Sequence, residues 1–170
     1  MRGPVAVLLY PGCLFFEVAL AAEVLAAHGP VRSYTPDGRP HRSSMGMTLE
    51  ADGDYAALAA APAAVVLVPG GDPGSILLPQ PRSNAALQAC AQAGAVLAGI
   101  CAGNLVLAAA GLLRGRRATH NYTAELAPPE KVAVAYGKLV IGSLSVRKLI
   151  FDWAANPAAM QGRISGELGK

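Results

Sequence analysis

The chain has 170 residues, of which 53% are hydrophobic and 15% are charged. This length and composition predict one globular domain with a substantial core and exclude a disordered chain. The net charge of +3 is too small and too dispersed to predict a nucleic-acid partner, and no apolar run is long enough for a membrane span. We therefore expect a single domain over residues 1–170, with the tail from about residue 158 loosely ordered.

The cysteines number three, with no CxxC spacing, so the sequence predicts neither a disulfide framework nor a zinc site. The first residues, MRGPVAVLLYPG, carry an apolar run that is broken by Pro11 and Gly12, which is not the form of a signal peptide. We expect a cytoplasmic protein with reduced thiols and with neither a metal ion nor another cofactor.

Apolar runs of strand length alternate with helical segments along the chain. The predicted strands cover residues 5–10, 31–35, 63–71, 95–100, 116–119 and 137–142, and a small hairpin covers 43–50. The predicted helices cover residues 14–29, 83–93, 102–110 and 146–156, with Ser83 as the N-cap of the second. Wholly apolar strands that alternate with helices are typical of an α/β fold with a mostly parallel central sheet, covered on both faces.

The junction between the strand over 95–100 and the following helix contains a cysteine between two glycines, in the sequence Gly99-Ile100-Cys101-Ala102-Gly103. This G-x-C-x-G pattern is that of a nucleophile elbow with Cys in place of Ser. Small residues allow the tight turn, and the helix N-terminus favours a thiolate at its apex. The alternative, a buried cysteine that acts as a small hydrophobe, does not explain both glycines.

A second glycine-rich segment, VPGGDPG, includes the end of the strand predicted over 63–71 and continues beyond it. In such sheets, sites form beyond the carboxyl ends of the strands, so this segment is expected beside Cys101. Gly70 and Gly71 let the backbone approach closely, and their N–H groups are candidate oxyanion donors. Taken alone, the glycine pair is equally consistent with a plain turn.

Glu17 is an acidic residue on the apolar face of the first predicted helix. At helical spacing it stacks with four apolar residues, Leu14, Val18, Ala21 and Val24. A buried carboxyl needs a raised pKa or a partner, and such acids are often functional. A protonated Glu17 would donate a hydrogen bond to the Cys101 thiolate. The alternative is a partly exposed helix acid with no role.

The remaining candidates are less specific. His120 follows the predicted strand over 116–119 and could reach the thiol as a base, although a single histidine is usually an ordinary residue. Cys13 precedes the helix that carries Glu17, and it is either a packing residue or a resolving thiol. Cys90 falls on the apolar face of its helix, which indicates a core position.

Several segments together resemble the ThiJ/PfpI superfamily, which includes the DJ-1 proteins and isocyanide hydratase. They are VLLYPG, FFEVALAAEVL, VVLVPGG, AGICAGNLVLAAAGLLRGRRATH and GKLV. The resemblance implies a flavodoxin-like three-layer sandwich of the class I glutamine amidotransferase-like type, usually dimeric. It implies that Cys101 is the elbow cysteine, with Glu17 as its acid partner and His120 nearby. The backbone N–H groups that it places facing the thiol are those of Gly70, Gly71 and Ala102.

Two departures from the superfamily narrow the expected activity. Ala102 stands where the protease-like members carry histidine, which argues against a peptidase. Isocyanide hydratases typically carry Asp at the acid position and Thr after the cysteine, so Glu17 and Ala102 are closer to the DJ-1 and glyoxalase type.

Three hypotheses about function follow. The first is a cofactor-free enzyme in which the Cys101 thiolate attacks a small electrophile, such as methylglyoxal or an isocyanide. The second is an oxidative-stress protein without turnover, in which Cys101 is oxidised to a sulfinate beside Glu17. The third is a small-molecule binding domain. The expected partners are a small electrophile or oxidant and a second copy of the chain.

Overall fold

The structure, a computed structural model, describes residues 3–71 and 81–114. The strands in this part, in chain order, are β1 (Val5–Leu8), β2 (Val31–Thr35), β3 (His41–Arg42), β4 (Thr48–Leu49), β5 (Gly53–Asp54), β6 (Val65–Val68) and β7 (Val96–Gly99). The helices are α1 (Phe16–Ala26), α2 (Tyr55–Ala60), α3 (Pro81–Gln92) and α4 (Gly103–Ala109). The strands predicted over 116–119 and 137–142 and the helix predicted over 146–156 lie outside the described residues.

The main sheet has the strand order β5-β2-β1-β6-β7, and every neighbouring pair in it is parallel. β1 lies in the middle, where Val5 pairs with Val31 on one side and with Val65 on the other. All four residues of β1 are buried, as expected for a strand with both faces covered. The predicted α/β class with a mostly parallel sheet is therefore confirmed.

Most predicted elements within the described residues differ from the observed ones by one to three residues at an end, and two of the differences change the role of a residue. The helix predicted over 83–93 begins at Pro81, so Ser83 is not its N-cap but a buried residue of its first turn. Proline suits a first helical position, because its missing N–H would have no partner there. The hairpin predicted over 43–50 is formed by the antiparallel pair β3 and β4, so it begins at His41 and residues 43–47 form its loop.

Strand β5 and helix α2 are not among the predicted elements. The turn between them is held by Asp54, whose carboxylate accepts the Ala57 N–H at 2.7 Å as an N-cap. β5 then completes the sheet edge by pairing with β2, with Tyr34 opposite Gly53.

Helix α1 buries a narrower face than the sequence predicts. Glu17 and Val18 are buried, as expected, but Val24 was assigned to the same face and is 62% exposed. Leu20 is exposed to the same extent. The helix packs against the core through Val18, Ala21, Ala22 and Leu25, and its first turn carries the buried acid.

No helix within residues 3–71 and 81–114 has the length and hydropathy that crossing a bilayer requires. The longest of them, α3, has 12 residues.

Candidate active site

Three loops meet at the edge of the sheet where β1, β6 and β7 end. Backbone hydrogen bonds connect them: the Leu14 N–H donates to Gly70 O at 2.7 Å, and the Ile100 N–H donates to Val68 O at 2.9 Å. Because parallel strands all end at the same edge, the segments that follow them become neighbours despite their separation along the chain. The loop after β1 leads to Glu17, and the loop after β7 is the cysteine elbow.

Cys101 forms the apex of the elbow between β7 and α4. Its φ of 54° makes it the one non-glycine residue with positive φ in the described part of the chain. This left-handed conformation costs an L-residue about 1–2 kcal/mol, so the surrounding structure must enforce it. The side chain is half-buried.

The two glycines of the elbow are required by close backbone packing. A Cβ on Gly103 would lie 2.1 Å from Val68 O, and a Cβ on Gly99 would lie 2.6 Å from Asn104 Oδ1. α4 can therefore begin directly beside the end of β6 only because residue 103 has no side chain. The sequence predicted that a tight turn requires small residues on both sides of Cys101, and the close packing at Gly99 and Gly103 agrees with this.

Glu17 lies in the first turn of α1 and is 8% exposed. Its Oε2 accepts the Gly70 N–H at 2.8 Å, and its carboxyl is also hydrogen-bonded to the side chain of Cys101. Burial raises the pKa of this carboxyl, and the hydrogen bonds from Gly70 and Cys101 oppose the rise without cancelling it. The neutral acid is favoured relative to a carboxyl in water, and a neutral acid is able to donate a proton to sulfur.

The backbone at Gly70 lies against both reactive side chains. A Cβ there would lie 2.7 Å from Glu17 Oε2, 3.0 Å from Cys101 Cβ and 3.0 Å from Ala102 N. Ala102 itself is fully buried. Since the Gly70 N–H donates to Glu17, the oxyanion contact predicted for it would require that hydrogen bond to be shared or broken.

Gly71 lies on the other side of this segment, against the loop after β1. It forms an antiparallel bridge with Cys13, and a Cβ on it would lie 2.8 Å from Gly12 O. The close approach predicted for Gly71 is therefore present, and it is directed at the loop that leads into α1.

The other two thiols differ from Cys101 in their burial. Cys13 and Cys90 are both 0% exposed. Burial is the main cause that raises the pKa of each thiol, and the charge of Glu17 adds to the rise at Cys13. Both thiols are disfavoured as nucleophiles for this reason.

Of the residues predicted from sequence, Glu17, Gly70, Cys101 and Ala102 form one cluster, with Gly71 beside it. His120 lies outside the described residues. A contact that the sequence did not reveal is made by Tyr10, whose hydroxyl donates to Pro69 O at 2.8 Å and holds the backbone just before the glycine pair. Tyr10 ends an apolar run in the sequence, which gave no sign of this hydrogen bond.

Within residues 3–71 and 81–114, no group of three or more His, Cys, Asp or Glu side chains is arranged to hold a metal ion. The chemistry of the cluster is that of a thiol, a carboxylic acid and backbone N–H groups.

The fold and the cluster together define an α/β protein with a cysteine at a strand-to-helix elbow and a buried carboxylic acid beside it. Residues 4–143 match the family model of the DJ-1/PfpI family, and the chain belongs to this family. The resemblance seen in the sequence is thereby confirmed.

Individual relatives agree with this assignment. The Streptomyces lividans protein named "Uncharacterized protein in cpoL 5'region" is 40% identical over 133 residues, which are 72% of this chain and 92% of that protein. A cysteine-to-alanine mutant of the DJ-1 superfamily protein STM1931 from Salmonella typhimurium is 31% identical with a TM-score of 0.60, covering 69% of this chain and 65% of that one. This chain therefore spans less than two thirds of that structure's length.

Drosophila melanogaster DJ-1beta has a TM-score of 0.68 at 24% identity, covering 82% of this chain and 74% of that one. At this level of identity the likeness is one of fold alone.

Proposed function

We propose that this protein is a cofactor-free enzyme that uses Cys101 to convert small electrophiles, with methylglyoxal as the first substrate to test. The observation that carries the proposal is the hydrogen bond between the half-buried Cys101 side chain and the buried Glu17 carboxyl. A neutral acid beside a thiol stabilises the thiolate by donating to it, and it also supplies a proton during the reaction.

The reaction begins with the attack of the Cys101 thiolate on the aldehyde carbon of methylglyoxal. The new C–S bond gives a hemithioacetal, whose oxyanion takes the proton of Glu17. A base then removes the C–H proton of the hemithioacetal carbon, and the oxygen of the neighbouring carbonyl takes up a proton, which gives an enediol. Protonation of the neighbouring carbon and loss of the hydroxyl proton from the sulfur-bearing carbon convert the enediol into the lactate thioester. Water hydrolyses the thioester, releasing lactate and regenerating the thiol. We propose His120 as a second base for these proton transfers.

Stabilisation of the oxyanion would come from backbone N–H groups. We propose those of Ala102 and Gly71, because the Gly70 N–H donates to Glu17. The position of Ala102 supports this role. Its nitrogen and the Cys101 Cβ would each lie 3.0 Å from a Cβ on Gly70, so both atoms face the same side of that residue.

Isocyanide hydration is an alternative reaction on the same cluster. Here the thiolate would attack the terminal isocyanide carbon, and proton transfer to that carbon would give a thioimidate. Addition of water and loss of the thiol then gives the formamide. The need for one activated thiol and one neighbouring acid is the same in both reactions.

Oxidation of Cys101 is the second candidate function, and it is favoured by the exposure of this side chain relative to Cys13 and Cys90. Two molecules of hydrogen peroxide would convert the thiolate first into a sulfenate and then into a sulfinate. Each peroxide molecule transfers one oxygen atom to sulfur and is itself reduced to water. Glu17 would then donate a hydrogen bond to the oxidised sulfur.

We further propose that the protein acts as a homodimer in the cytoplasm. The apolar side chains on the exposed face of α1 support the dimer, and the free state of all three cysteines is compatible with a reducing compartment.

The decisive experiment is the rate of methylglyoxal and isocyanide conversion by the wild type and by Cys101→Ser. We expect loss of the nucleophile to lower kcat by at least about 10³-fold. Cys90→Ala is the matched control and should retain the rate, because it removes a buried thiol that contacts Ala63, before the start of β6 rather than at the end where the site lies.

Alkylation of the folded chain complements the rates. One equivalent of iodoacetamide should react rapidly, at Cys101, whereas the unfolded chain should react at all three cysteines. Absence of turnover on both substrates, combined with stoichiometric oxidation of Cys101 by peroxide, would contradict the enzyme hypothesis and support the redox function. Ligand binding that survives Cys101→Ala without any thiol reactivity would favour the binding domain.

A further inference from the structure

The backbone N–H and the carbonyl of Gly70 are both hydrogen-bonded to the segment over residues 14–17, which leads into α1 and forms its first turn. Its carbonyl accepts the Leu14 N–H at 2.7 Å, and its own N–H donates to Glu17 Oε2 at 2.8 Å. The segment after β6 is thus held to Leu14, just before α1, by a backbone hydrogen bond and to the first turn of α1 by a hydrogen bond to the acid.

Space, rather than backbone conformation, explains why residue 70 is glycine. Its φ lies outside the left-handed region, so a larger residue would not be strained by its backbone conformation. A Cβ would instead lie 2.7 Å from Glu17 Oε2 and 3.0 Å from Cys101 Cβ. Only a residue without a side chain brings its N–H to the carboxyl while leaving that carboxyl in contact with Cys101.

The two hydrogen-bond partners identified for Glu17 differ in what they can accept. An amide N–H is a donor only, so the proton of neutral Glu17 cannot go to Gly70. It can go to the sulfur of Cys101 or to an oxyanion formed there. When Glu17 loses its proton, however, the Gly70 N–H becomes a donor to a carboxylate, and such charge-assisted hydrogen bonds are about twice as strong as neutral ones.

We infer that Gly70 is a positioning residue for the proposed reaction: its N–H holds Glu17 against Cys101 and stabilises the carboxylate formed when Glu17 gives its proton to the hemithioacetal oxyanion. This inference rests on the proposed function and assigns Gly70 to the acid rather than to the oxyanion. It also explains how a buried acid, for which ionisation is costly, is able to release its proton during turnover.

The test removes the Gly70 N–H without adding an atom that would collide with the site. Replacing Gly70 by glycolic acid, through nonsense suppression in the full chain, substitutes an ester oxygen for this N–H. The matched control is the corresponding ester at Leu14, which removes the neighbouring hydrogen bond to Gly70 O and leaves the donor to Glu17 intact.

The readout is the titration of the Glu17 carboxyl carbon by ¹³C NMR, with the resonance assigned from its absence in Glu17→Gln. We expect the Gly70 ester to raise the midpoint by about one pH unit or more, because it removes a donor that favours the charged form. The Leu14 ester should leave the midpoint unchanged. In turnover, the Gly70 ester should lower kcat by about tenfold with little change in KM, and the limb of the pH profile that belongs to Glu17 should move to higher pH.

A Glu17 midpoint that is the same in the Gly70 ester and the wild type would overturn the inference. So would an equal rise in both esters, which would show a general effect of loosening α1. The NMR titration does not depend on the substrate, so failure of the wild type to convert methylglyoxal would contradict the proposed function and leave the role of Gly70 open to this separate measurement.

Discussion

At the level of single residues, Glu17 combines two opposing demands. Its position in the apolar first turn of α1 removes it from water, which favours the neutral acid. The Gly70 N–H and the Cys101 side chain are the groups that compensate for this burial. A buried acid of this kind is expected to lower the free energy of unfolding while it supports the reactivity of the neighbouring thiol.

We therefore expect Glu17→Gln to stabilise the protein at neutral pH. The pKa of Glu17 is raised on folding, so the wild type loses stability as the pH rises from the unfolded-state value of 4.5 towards the higher folded-state pKa. Glutamine has no such dependence. Urea unfolding at several pH values should show a gain for the variant at pH 7 that shrinks as the pH falls towards 4.5 and is constant at lower pH. A constant difference across this range would contradict the burial of a raised-pKa acid, and Glu23→Gln on the exposed side of α1 is the control.

Among the helices and strands, the elbow depends on how closely α4 begins to the end of β6. The carbonyl of Val68 occupies the place that a side chain on Gly103 would need. The contact joins two elements that each contribute to the site, since β6 leads to Gly70 and the elbow carries Cys101. The elbow is thus a tertiary contact as well as a local turn.

We expect Gly103→Ala to destabilise the protein by at least about 3 kcal/mol, because its Cβ would lie 2.1 Å from a backbone oxygen that cannot move independently. Gly94→Ala is a suitable control. Gly94 has φ of +83°, but a Cβ on it would meet no atom within 4 Å, so its substitution should cost only about 1 kcal/mol. Thermal and urea unfolding of both variants measure the difference. Equal losses would mean that the elbow tolerates a side chain at residue 103.

In the molecule as a whole, α1 connects the site to a candidate subunit contact. Its side chains at every fourth position, Phe16, Leu20 and Val24, are exposed by 49%, 62% and 62%. Such spacing places them along one face of the helix. The three side chains are uncharged and can pack against their own copies about a two-fold axis. The exposed Glu23, seven residues after Phe16, lies at the edge of the same face.

We expect the wild type to sediment as a dimer at micromolar concentration, with the face of α1 defined by Phe16, Leu20 and Val24 in the interface. Leu20→Glu combined with Val24→Glu should weaken the dimer by at least about tenfold, because it buries unpaired charges. Glu50→Gln, which changes an exposed acid outside α1, should leave the dimer intact. Analytical ultracentrifugation decides between the outcomes, and a monomeric wild type or a dimeric double variant would refute this interface.

Local sequence patterns were enough to predict the α/β class and the residue types of the site. Apolar runs with the length of strands encode a buried parallel sheet, and two glycines around a cysteine encode a tight turn, since both patterns reflect local physical constraints. An acid in an apolar helical turn likewise identified Glu17. The same local reasoning missed α2, although Asp54 before an alanine-rich segment is an N-cap signal that could have indicated it.

What these residues contact, by contrast, follows from the packing of the folded chain. The hydrogen bond from Gly70 to Glu17 joins residues 53 positions apart, and it uses a backbone N–H that any residue type except proline would possess. The exposure of Val24 has the same origin, because helical periodicity defines a face but not how much of it the sheet covers. Such contacts depend on how the elements pack together, and the pattern within any one segment does not contain that information.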